Sequence, residues 1–495
     1  MSATEPVPAP PPRQSGPDAQ GGPDAQARPP RSLAPDLARG LMLALIAMAN
    51  VPWFLWGQEA GAFGLHVPAR NALDTAIQVV MGLGVDGRSF PLFAFLFGYG
   101  MVQFFRSRID RGLEHRTVRR MLRRRHWAML LLGFLHALLL FLGDILGAYA
   151  IAGLLLVWIF FGRRDRTLLI WIGVATALFT VYSLGSVVSG LYLSSQPDIL
   201  EAMDASGASF SMAAFRDIAH GESNYLLAAG LRVGMWAFSL PSMALGFAVP
   251  VSIMLGWLAA RHRVLEEPWN HMRLLRLTAV IGITIGWAGG LTRILGLMGI
   301  LELPEALFWT FMGTEMISGV ACGIGYAAAF GLIAAHLEGR TEAVGAARGA
   351  RAAEPAVRKR DLSPEARSAL VAARSYGAPA SSVTPEMRRT LPAPVKAVAA
   401  VGQRSLTFYL FQSIVFSPLL TAWGFGLGRH LTTSTSTALA LGVWLLSVLI
   451  AGWMASRDMR GPAERLLRRL TYGKLDPSGV IAAGSHRRRD PVPGA

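Results

Sequence analysis

Long apolar stretches separated by short arginine-rich or polar segments form the main pattern of this chain. The longest stretch, residues 126–161, is almost wholly apolar but contains His136 and Asp144. As one helix it would be roughly 54 Å long, whereas the hydrocarbon core of a bilayer is about 30 Å thick. It therefore predicts two membrane spans, with the turn between them at Gly143 and Asp144.

The same pattern along the whole chain predicts an all-α fold, a polytopic bundle of about ten transmembrane helices. Because 52% of the residues are hydrophobic and 16% are charged, the composition excludes an ordinary soluble protein of this length. Residues 225–260 have room for a further half-span. Besides the pair in 126–161, the spans are predicted at about 37–56, 89–105, 167–193, 238–260, 277–297, 308–336, 404–427 and 437–455.

The arginines predict how the bundle is oriented. The net charge is +16, and nine arginines lie between residues 106 and 125 alone. By the positive-inside rule, these loops and both termini are predicted to be cytoplasmic, in a multi-pass protein of the cell membrane. Residues 194–236, which are acidic, are then the largest external segment. Since the arginines flank apolar spans, we expect membrane lipids as their partners and no nucleic acid.

Composition divides the chain into five parts. Residues 1–31 and 474–495 are predicted to be disordered tails, and 338–400 a flexible, basic cytoplasmic insertion. Residues 32–337 contain eight spans, and 401–473 contain two spans followed by a basic amphipathic helix. In that helix, Leu466, Leu467 and Leu470 are expected to lie in the membrane interface.

His136 and Asp144 are the first candidates for chemistry. An ionisable group inside a membrane is costly and indicates a functional site, with His136 as a general base. The alternative is structural: Asp144 caps the next helix, and His136 bonds to a neighbouring helix. In a straight helix about 12 Å separate the two residues, so no direct contact is expected between them.

Further polar side chains lie within or beside the spans. Ser405, Tyr409, Gln412 and Ser413 share one helical face, which is predicted to point into the bundle as a cavity lining or as interhelical hydrogen bonds. The other candidates are Asp36, Arg39 and Asn50 in the first span and His66 and Arg88 in the loop after it. The motifs of common soluble hydrolases, nucleotide-binding proteins and zinc peptidases are absent, and no metal site is predicted.

Five stretches resemble the YeiB-like bacterial membrane proteins, whose C-terminal region is the domain of unknown function DUF418. They occur in the family's order and are DLARGLMLALIAMAN (36–50), FPLFAFLFGYG (90–100), GFLHALLLFLGDILGAYAIAG (133–153), GQRSLTFYLFQS (402–413) and GPAERLLRRLTYG (461–473). The family is similar to transmembrane acyltransferases, which implies transfer of an acyl group from a cytoplasmic donor to an acceptor.

The resemblance implies Asp36, Arg39, Asn50, His136, Asp144, Tyr409 and Gln412 as site residues. The sugar-acetylating relatives place a catalytic histidine in the first external loop, where this chain has His66. Either His66 or His136 is then the base that the resemblance implies, or the similarity to acyltransferases does not extend to this chain. Arg88 stands where the family usually has lysine, and an arginine would hold an anion rather than serve as a base.

Two functions follow as hypotheses. The first is a membrane-embedded acyltransferase that uses acyl-CoA as co-substrate, without a bound cofactor, and a hydroxyl or amine acceptor. The second is a transporter or flippase of a polar lipid or small solute, which uses the same polar groups as a pathway. A structural membrane scaffold and a homo-oligomer are left open.

Overall fold

The computed structural model of the chain describes residues 32–59, 66–205, 212–301, 305–352 and 391–472. Within these ranges all regular structure is helical, as predicted. The helices before residue 221 are α1 (Leu33–Asn50), α2 (Ala72–Gly84), α3 (Ser89–Ile109), α4 (His115–Leu139), α5 (Ile145–Ile159), α6 (Asp165–Ser194), α7 (Pro197–Ala205) and α8 (Met212–His220). Those after it are α9 (Tyr225–Leu245), α10 (Ala248–Arg261), α11 (Met272–Leu297), α12 (Met312–Ala352), α13 (Ala393–Gln403), α14 (Ser405–Leu420), α15 (Thr433–Ser456) and α16 (Pro462–Tyr472).

Several helices have the dimensions of membrane spans. Three shorter apolar helices, α5, α10 and α14, accompany the longer ones. The chain therefore has the character of a membrane protein with several spans, whereas the number of ten remains a prediction. By length and composition, seven helical stretches in the described part of the chain qualify as spans: Leu33–Phe54, Ala72–Ile109, Asp165–Ser194, Tyr225–Leu245, Pro268–Leu297, Trp309–Gly339 and Thr433–Ser456.

The helices approach one another closely through glycines. A Cβ atom on Gly282 would lie 2.4 Å from the Ala321 carbonyl oxygen, and one on Gly286 would lie 2.2 Å from Cys322 Cβ. A Cβ atom on Gly323 would lie 2.7 Å from the Leu92 nitrogen. Only glycine permits backbones to come this close, so α11, α12 and α3 pack as a tight unit.

The predicted span 238–260 is in fact two helices, α9 and α10, separated by Gly246 and Phe247. Helix α9 begins at Tyr225, where the Asn224 side chain accepts hydrogen bonds from the nitrogens of Leu226 and Leu227. The external segment was therefore predicted too long. Arg232 interrupts the apolar pattern of this helix, which is why its first three turns were assigned to the external segment, although residues 225–260 were given room for a further half-span.

Helical structure enters the predicted insertion from both sides. Helix α12 continues to Ala352, and α13 packs on α1, with Ala399, Ala400 and Val401 buried. Residues 353–390 and the two predicted tails lie outside the described residues. In α16, Leu467 is buried against the bundle, whereas Leu466 and Leu470 are exposed. One of the three leucines assigned to the membrane interface is therefore a core residue.

Side chains at both ends of the bundle donate hydrogen bonds to backbone carbonyls of other segments. At the basic end, Arg106 donates to the Ala260 carbonyl at 3.1 Å, and Arg261 donates to the Phe161 carbonyl at 2.9 Å. At the opposite end, the Trp56 indole donates to the Leu420 carbonyl at 2.8 Å. Helices α4, α9 and α14 have their ends near one another there, beside the polar groups described next.

Candidate functional site

His136 lies at the centre of a buried polar cluster formed by α4, α5 and α14. Its Nδ1 is 2.9 Å from Asp144 Oδ1, and its Nε2 is 2.8 Å from Ser413 Oγ. The side chains of His136 and Asp144 are fully buried, and Ser413 is buried as well. The three side chains thus form a continuous hydrogen-bonded chain from a carboxylate through an imidazole to a hydroxyl.

The contact between His136 and Asp144 corrects the expectation that they do not touch. Helix α4 ends at Leu139, and the chain then reverses, so the 12 Å spacing of a straight helix does not apply. Asp144 caps α5, with Oδ2 accepting from the Gly147 nitrogen at 2.8 Å. Its second oxygen is thereby held toward His136. The predicted turn at Gly143 and Asp144 is confirmed.

A glycine on α4 makes room for this carboxylate. A Cβ atom on Gly133 would lie 2.5 Å from Asp144 Oδ2 and 2.6 Å from the Gly147 nitrogen. These distances are far below van der Waals contact, so any side chain at this position would displace the carboxylate or the start of α5. The cluster therefore depends on close packing as well as on hydrogen bonds.

The polar face of α14 points into the bundle, as predicted. Tyr409 Oη accepts from the Ile145 nitrogen at 3.3 Å, and Gln412 Nε2 donates to the Leu43 carbonyl at 2.9 Å. The Tyr409 ring lies against His136, with the ring centroids 5.2 Å apart. Gln412 Oε1 is buried and has no partner among the described residues. Helix α14 therefore ties α1 and α5 to the site.

Sequence reasoning missed Ser417, which continues this face four residues after Ser413. Its hydroxyl donates to the Leu140 carbonyl at 2.8 Å, at the point where the chain leaves α4. The helical spacing was a sufficient signal, because residues four apart lie on the same side of a helix. Ser417 fixes the chain reversal that carries Asp144 toward His136.

The hydrogen bonds define what the cluster can do. A neutral His136 ring with its hydrogen on Nδ1 donates to Asp144, and its Nε2 then accepts the hydrogen of the Ser413 hydroxyl. This is the same arrangement of groups as in serine-dependent acyl transfer, where the carboxylate orients the histidine and the histidine activates the serine. In the structural alternative, the same bonds only satisfy buried polar groups.

His66 belongs to a separate, partly accessible group of charges at the start of α3. Its Nε2 lies 2.8 Å from Asp86 Oδ2. Arg293 lies 3.5 Å from the same Asp86 oxygen and binds Glu315 through two hydrogen bonds of 2.7 and 2.6 Å. The His66 side chain is 13% exposed. The structure thus gives both histidines a carboxylate partner, but only His136 has a serine on its other nitrogen.

Arg88 is fully buried beside this group. Its Nη2 donates to the Gly286 carbonyl at 2.9 Å, and its Nη1 donates to the Asp86 carbonyl. Two of its three nitrogens are therefore occupied by backbone oxygens. This arrangement supports the loop between α2 and α3 and leaves little of the guanidinium for an anion.

The predicted residues of the first span lie apart from this chemistry. Arg39 pairs with Asp36 on the same helix at 3.5 Å and donates to the Leu96 carbonyl at 3.3 Å. Asn50 ends α1 and precedes a 3₁₀ turn, to which its side chain gives no capping hydrogen bond. None of the three bonds to His136, Asp144 or Ser413 in the described part of the chain.

The chain matches known proteins over most of its length. Residues 259–349 and 369–474 match the family model described as protein of unknown function, DUF418. The chain is 25% identical over 464 residues to the uncharacterized protein YeiB of Escherichia coli (strain K12), which is 90% of this chain and 98% of YeiB. No solved structure matches it.

A second relative is the uncharacterized protein YxaH of Bacillus subtilis (strain 168). The two are 27% identical over 263 residues, which is 51% of this chain and 63% of YxaH. Neither relative's name states an activity. The family model covers α14, and the alignment with YeiB covers most of the remaining helices, so the chain is similar to the YeiB-like proteins and its C-terminal part matches the DUF418 family.

Proposed function

We propose that this protein is a membrane-embedded acyltransferase in which Ser413, activated by His136, carries the acyl group during transfer. The observation that supports it most is the chain of hydrogen bonds from Asp144 through His136 to Ser413, at 2.9 and 2.8 Å. Both distances are within the range that proton transfer between a nucleophile and its base requires.

The first step forms an acyl-serine. Ser413 Oγ attacks the carbonyl carbon of an acyl thioester, and its hydrogen passes to His136 Nε2. The C–S bond then breaks, and the sulfur takes the hydrogen from His136. Asp144 holds the ring in the required tautomer and stabilises its positive charge while it carries two hydrogens.

The second step releases the product. The oxygen or nitrogen of the acceptor attacks the acyl carbon, and its hydrogen passes to His136. The bond between Ser413 Oγ and the acyl carbon breaks, and the oxygen recovers its hydrogen from His136. Tyr409 accepts a bond from the Ile145 nitrogen, so its own hydroxyl hydrogen is available to an oxygen that gains negative charge.

Burial of the site has a chemical benefit and a mechanical consequence. Exclusion of water protects an acyl-serine from hydrolysis and favours transfer to the acceptor. Because His136 and Asp144 are fully buried, substrates require α14 to move away from α4 during the reaction. The hydrogen bonds of Ser413 and Ser417 to α4 and its turn are the contacts that such a movement breaks.

The basic end of the bundle suits an anionic donor such as acyl-CoA. Arg108 and Arg125 both lie over the Phe104 ring, with Cζ at 4.1 and 5.6 Å from its centroid. Burial, together with the charges of Arg39 and Arg108, lowers the pKa of Arg125 to about 10. We propose that the protein lies in the plasma membrane. By the positive-inside rule, its basic end and both termini then face the cytoplasm.

The test is to trap the acyl-serine. Purified protein in lipid nanodiscs is mixed with radiolabelled acetyl-CoA or palmitoyl-CoA, and the chain is digested and analysed by mass spectrometry. We expect acyl label on Ser413 in wild type and in His66→Ala, no label in Ser413→Ala, and at least about a 100-fold slower reaction in His136→Ala. A folded wild-type protein without label from either donor, or label that persists in Ser413→Ala, contradicts the proposal.

A second function is favoured by the interrupted helices. Helices α9 and α10 are separated at Gly246, and α13 and α14 at Arg404, as in transporters that bind a substrate between half-helices. In that case, proteoliposomes move a labelled polar lipid between leaflets, and His136→Ala slows the movement without any acyl product. The acyl-trapping experiment and this one separate the two functions.

A further inference from the structure

His220 is enclosed by aromatic rings at the end of the bundle opposite the basic end. Its ring lies 4.6 Å from the Phe54 ring and 6.0 Å from the Phe141 ring, measured between centroids. It is fully buried, and neither of its ring nitrogens has a hydrogen-bond partner among the described residues. Burial, together with the charges of Arg232 and Arg216, lowers the pKa of His220 from 6.5 to about 3.

Arg232 of α9 is buried beside it with most of its donors unused. Nη2 donates to the Leu138 carbonyl at 2.9 Å, while Nε and Nη1 are buried and have no partner in the described part of the chain. The same part of the chain offers Arg232 no carboxylate within ion-pair distance. Its guanidinium carbon lies 5.4 Å from the Tyr225 ring and 5.9 Å from the Trp423 ring.

Trp423 adds another buried donor. Its indole Nε1 also lacks a partner among the described residues. The residue before it, Ala422, donates its backbone hydrogen to the His220 carbonyl at 2.9 Å, which holds the chain after α14 against α8. These contacts therefore bring together α8, α9 and the segment after α14, which carry the three unpartnered side chains.

The unsatisfied groups have the same chemical character. Arg232 offers hydrogens on Nε and Nη1, Trp423 offers one on Nε1, and a neutral His220 offers one ring hydrogen. A buried guanidinium without a counter-ion is strongly unfavourable, and unpaired buried donors add to that cost. Such a set requires an acceptor that carries negative charge and several oxygens.

We propose that Arg232, Trp423 and His220 form a binding site for a phosphate group. Arg216, which is buried and contributes positive charge near His220, strengthens it. The phosphate belongs either to free inorganic phosphate or to a lipid head group. Leu226, six residues before Arg232, and Phe425, two residues after Trp423, are 80% and 79% exposed and offer apolar surface to the acyl chains of a lipid.

This inference is independent of the acyl transfer proposed above. Phe141 separates the two sites, with its ring centroid 6.0 Å from His220 and 6.2 Å from His136. Binding measurements alone therefore test the phosphate site, whether or not Ser413 is acylated.

The experiment uses full-length protein purified in detergent and phosphate-free buffer. Binding of ³²P-orthophosphate is measured by equilibrium dialysis, and retained phospholipid is measured by mass spectrometry after extraction. Arg232→Gln removes the charge, and Trp423→Phe keeps an aromatic ring but removes the N–H donor. Arg429→Gln, an exposed arginine on the 3₁₀ turn after α14, is the matched control.

Saturable orthophosphate binding in wild type and Arg429→Gln, weakened about tenfold or more in Arg232→Gln and Trp423→Phe, supports a site for free phosphate. One phospholipid per chain, retained by wild type and Arg429→Gln and lost from Arg232→Gln and Trp423→Phe, supports a lipid head group. Absence of both ligands from folded wild-type protein overturns the proposal, as does equal binding in all four proteins. If Arg232→Gln does not fold, the comparison of Trp423→Phe with wild type tests the proposal.

Discussion

Asp144 bonds to His136 across a chain reversal, with its Oδ1 2.9 Å from His136 Nδ1 and its Oδ2 2.8 Å from the Gly147 nitrogen. One carboxylate therefore orients the imidazole and also begins α5. The structural and the chemical roles of Asp144 cannot be separated by deleting the side chain, but they can be separated by changing its charge.

Replacement of Asp144 by alanine removes a helix cap and a buried hydrogen bond to His136. We expect a loss of about 2–4 kcal/mol in the free energy of unfolding, from the sum of the two effects. Asp144→Asn keeps an oxygen for the Gly147 nitrogen and should lose less. Thermal unfolding in detergent measures both. Equal losses in the two variants would show that the cap contributes nothing.

Gly133→Ala should disturb the site without removing any polar group. The added carbon would lie 2.5 Å from Asp144 Oδ2, and overpacking of this kind costs about 1–3 kcal/mol. Gly173 of α6 has open space around its Cβ position, so Gly173→Ala is the control and should change stability by less than about 1 kcal/mol. The comparison is made by thermal unfolding, and a Gly133→Ala protein as stable as Gly173→Ala would contradict the packing described for α4 and α5.

Glu464 of α16 caps the start of α14 from outside that helix. Its Oε1 accepts from the nitrogens of Leu406 and Thr407 at 2.9 and 3.1 Å, and its Oε2 accepts from the Thr407 hydroxyl. We expect Glu464→Ala to lower the free energy of unfolding by about 2–4 kcal/mol, because several bonds to one carboxylate are lost. The exposed neighbour Arg465 provides the control, since Arg465→Ala should leave stability nearly unchanged. Limited proteolysis after Ser405 should rise only in the first variant.

His220 should make stability depend on pH below neutrality. Its pKa is about 3 in the folded chain and 6.5 in the unfolded one, so below pH 6.5 the unfolded chain binds a proton that the folded chain does not. The contribution of His220 to the free energy of unfolding is complete above pH 6.5. It declines toward pH 3 by at most about 1.4 kcal/mol per pH unit.

His220→Phe should flatten this decline, and His430→Gln, at an exposed histidine, should not. Thermal unfolding in phosphate-free detergent between pH 7 and pH 4 measures the slope. A slope that is unchanged in His220→Phe would mean that the pKa of His220 is not lowered in the folded protein.

The hydrophobic pattern was enough to predict a helical membrane-type bundle, because long apolar runs have few other folds available. It also predicted the turn at Asp144 and the inward face of α14. The pattern failed where a buried arginine, Arg232, interrupts an apolar helix. Helical spacing gave the wrong separation of His136 and Asp144, since it assumes a straight helix through a turn.

Contacts between distant segments could not be predicted from the sequence alone. Ser413 and His136 are 277 positions apart, and His220 meets Phe54 and Phe141 from two other parts of the chain. Each of these residues is unremarkable in its local sequence. Their roles depend on how α4, α8 and α14 are arranged in space, which spacing rules do not describe.

The hydrogen-bonded residues lie on α4 and α14, which are far apart in the sequence, so the ribosome makes them at different times. A ribosome that has made the first 400 residues has produced His136 and Asp144 but not Ser413, so the nascent chain contains the proposed base without its proposed nucleophile. The site is assembled only when the last quarter of the chain has been inserted and α16 has fixed the start of α14. A premature stop anywhere before residue 405 therefore leaves His136 and Asp144 without Ser413, the residue proposed to carry the acyl group.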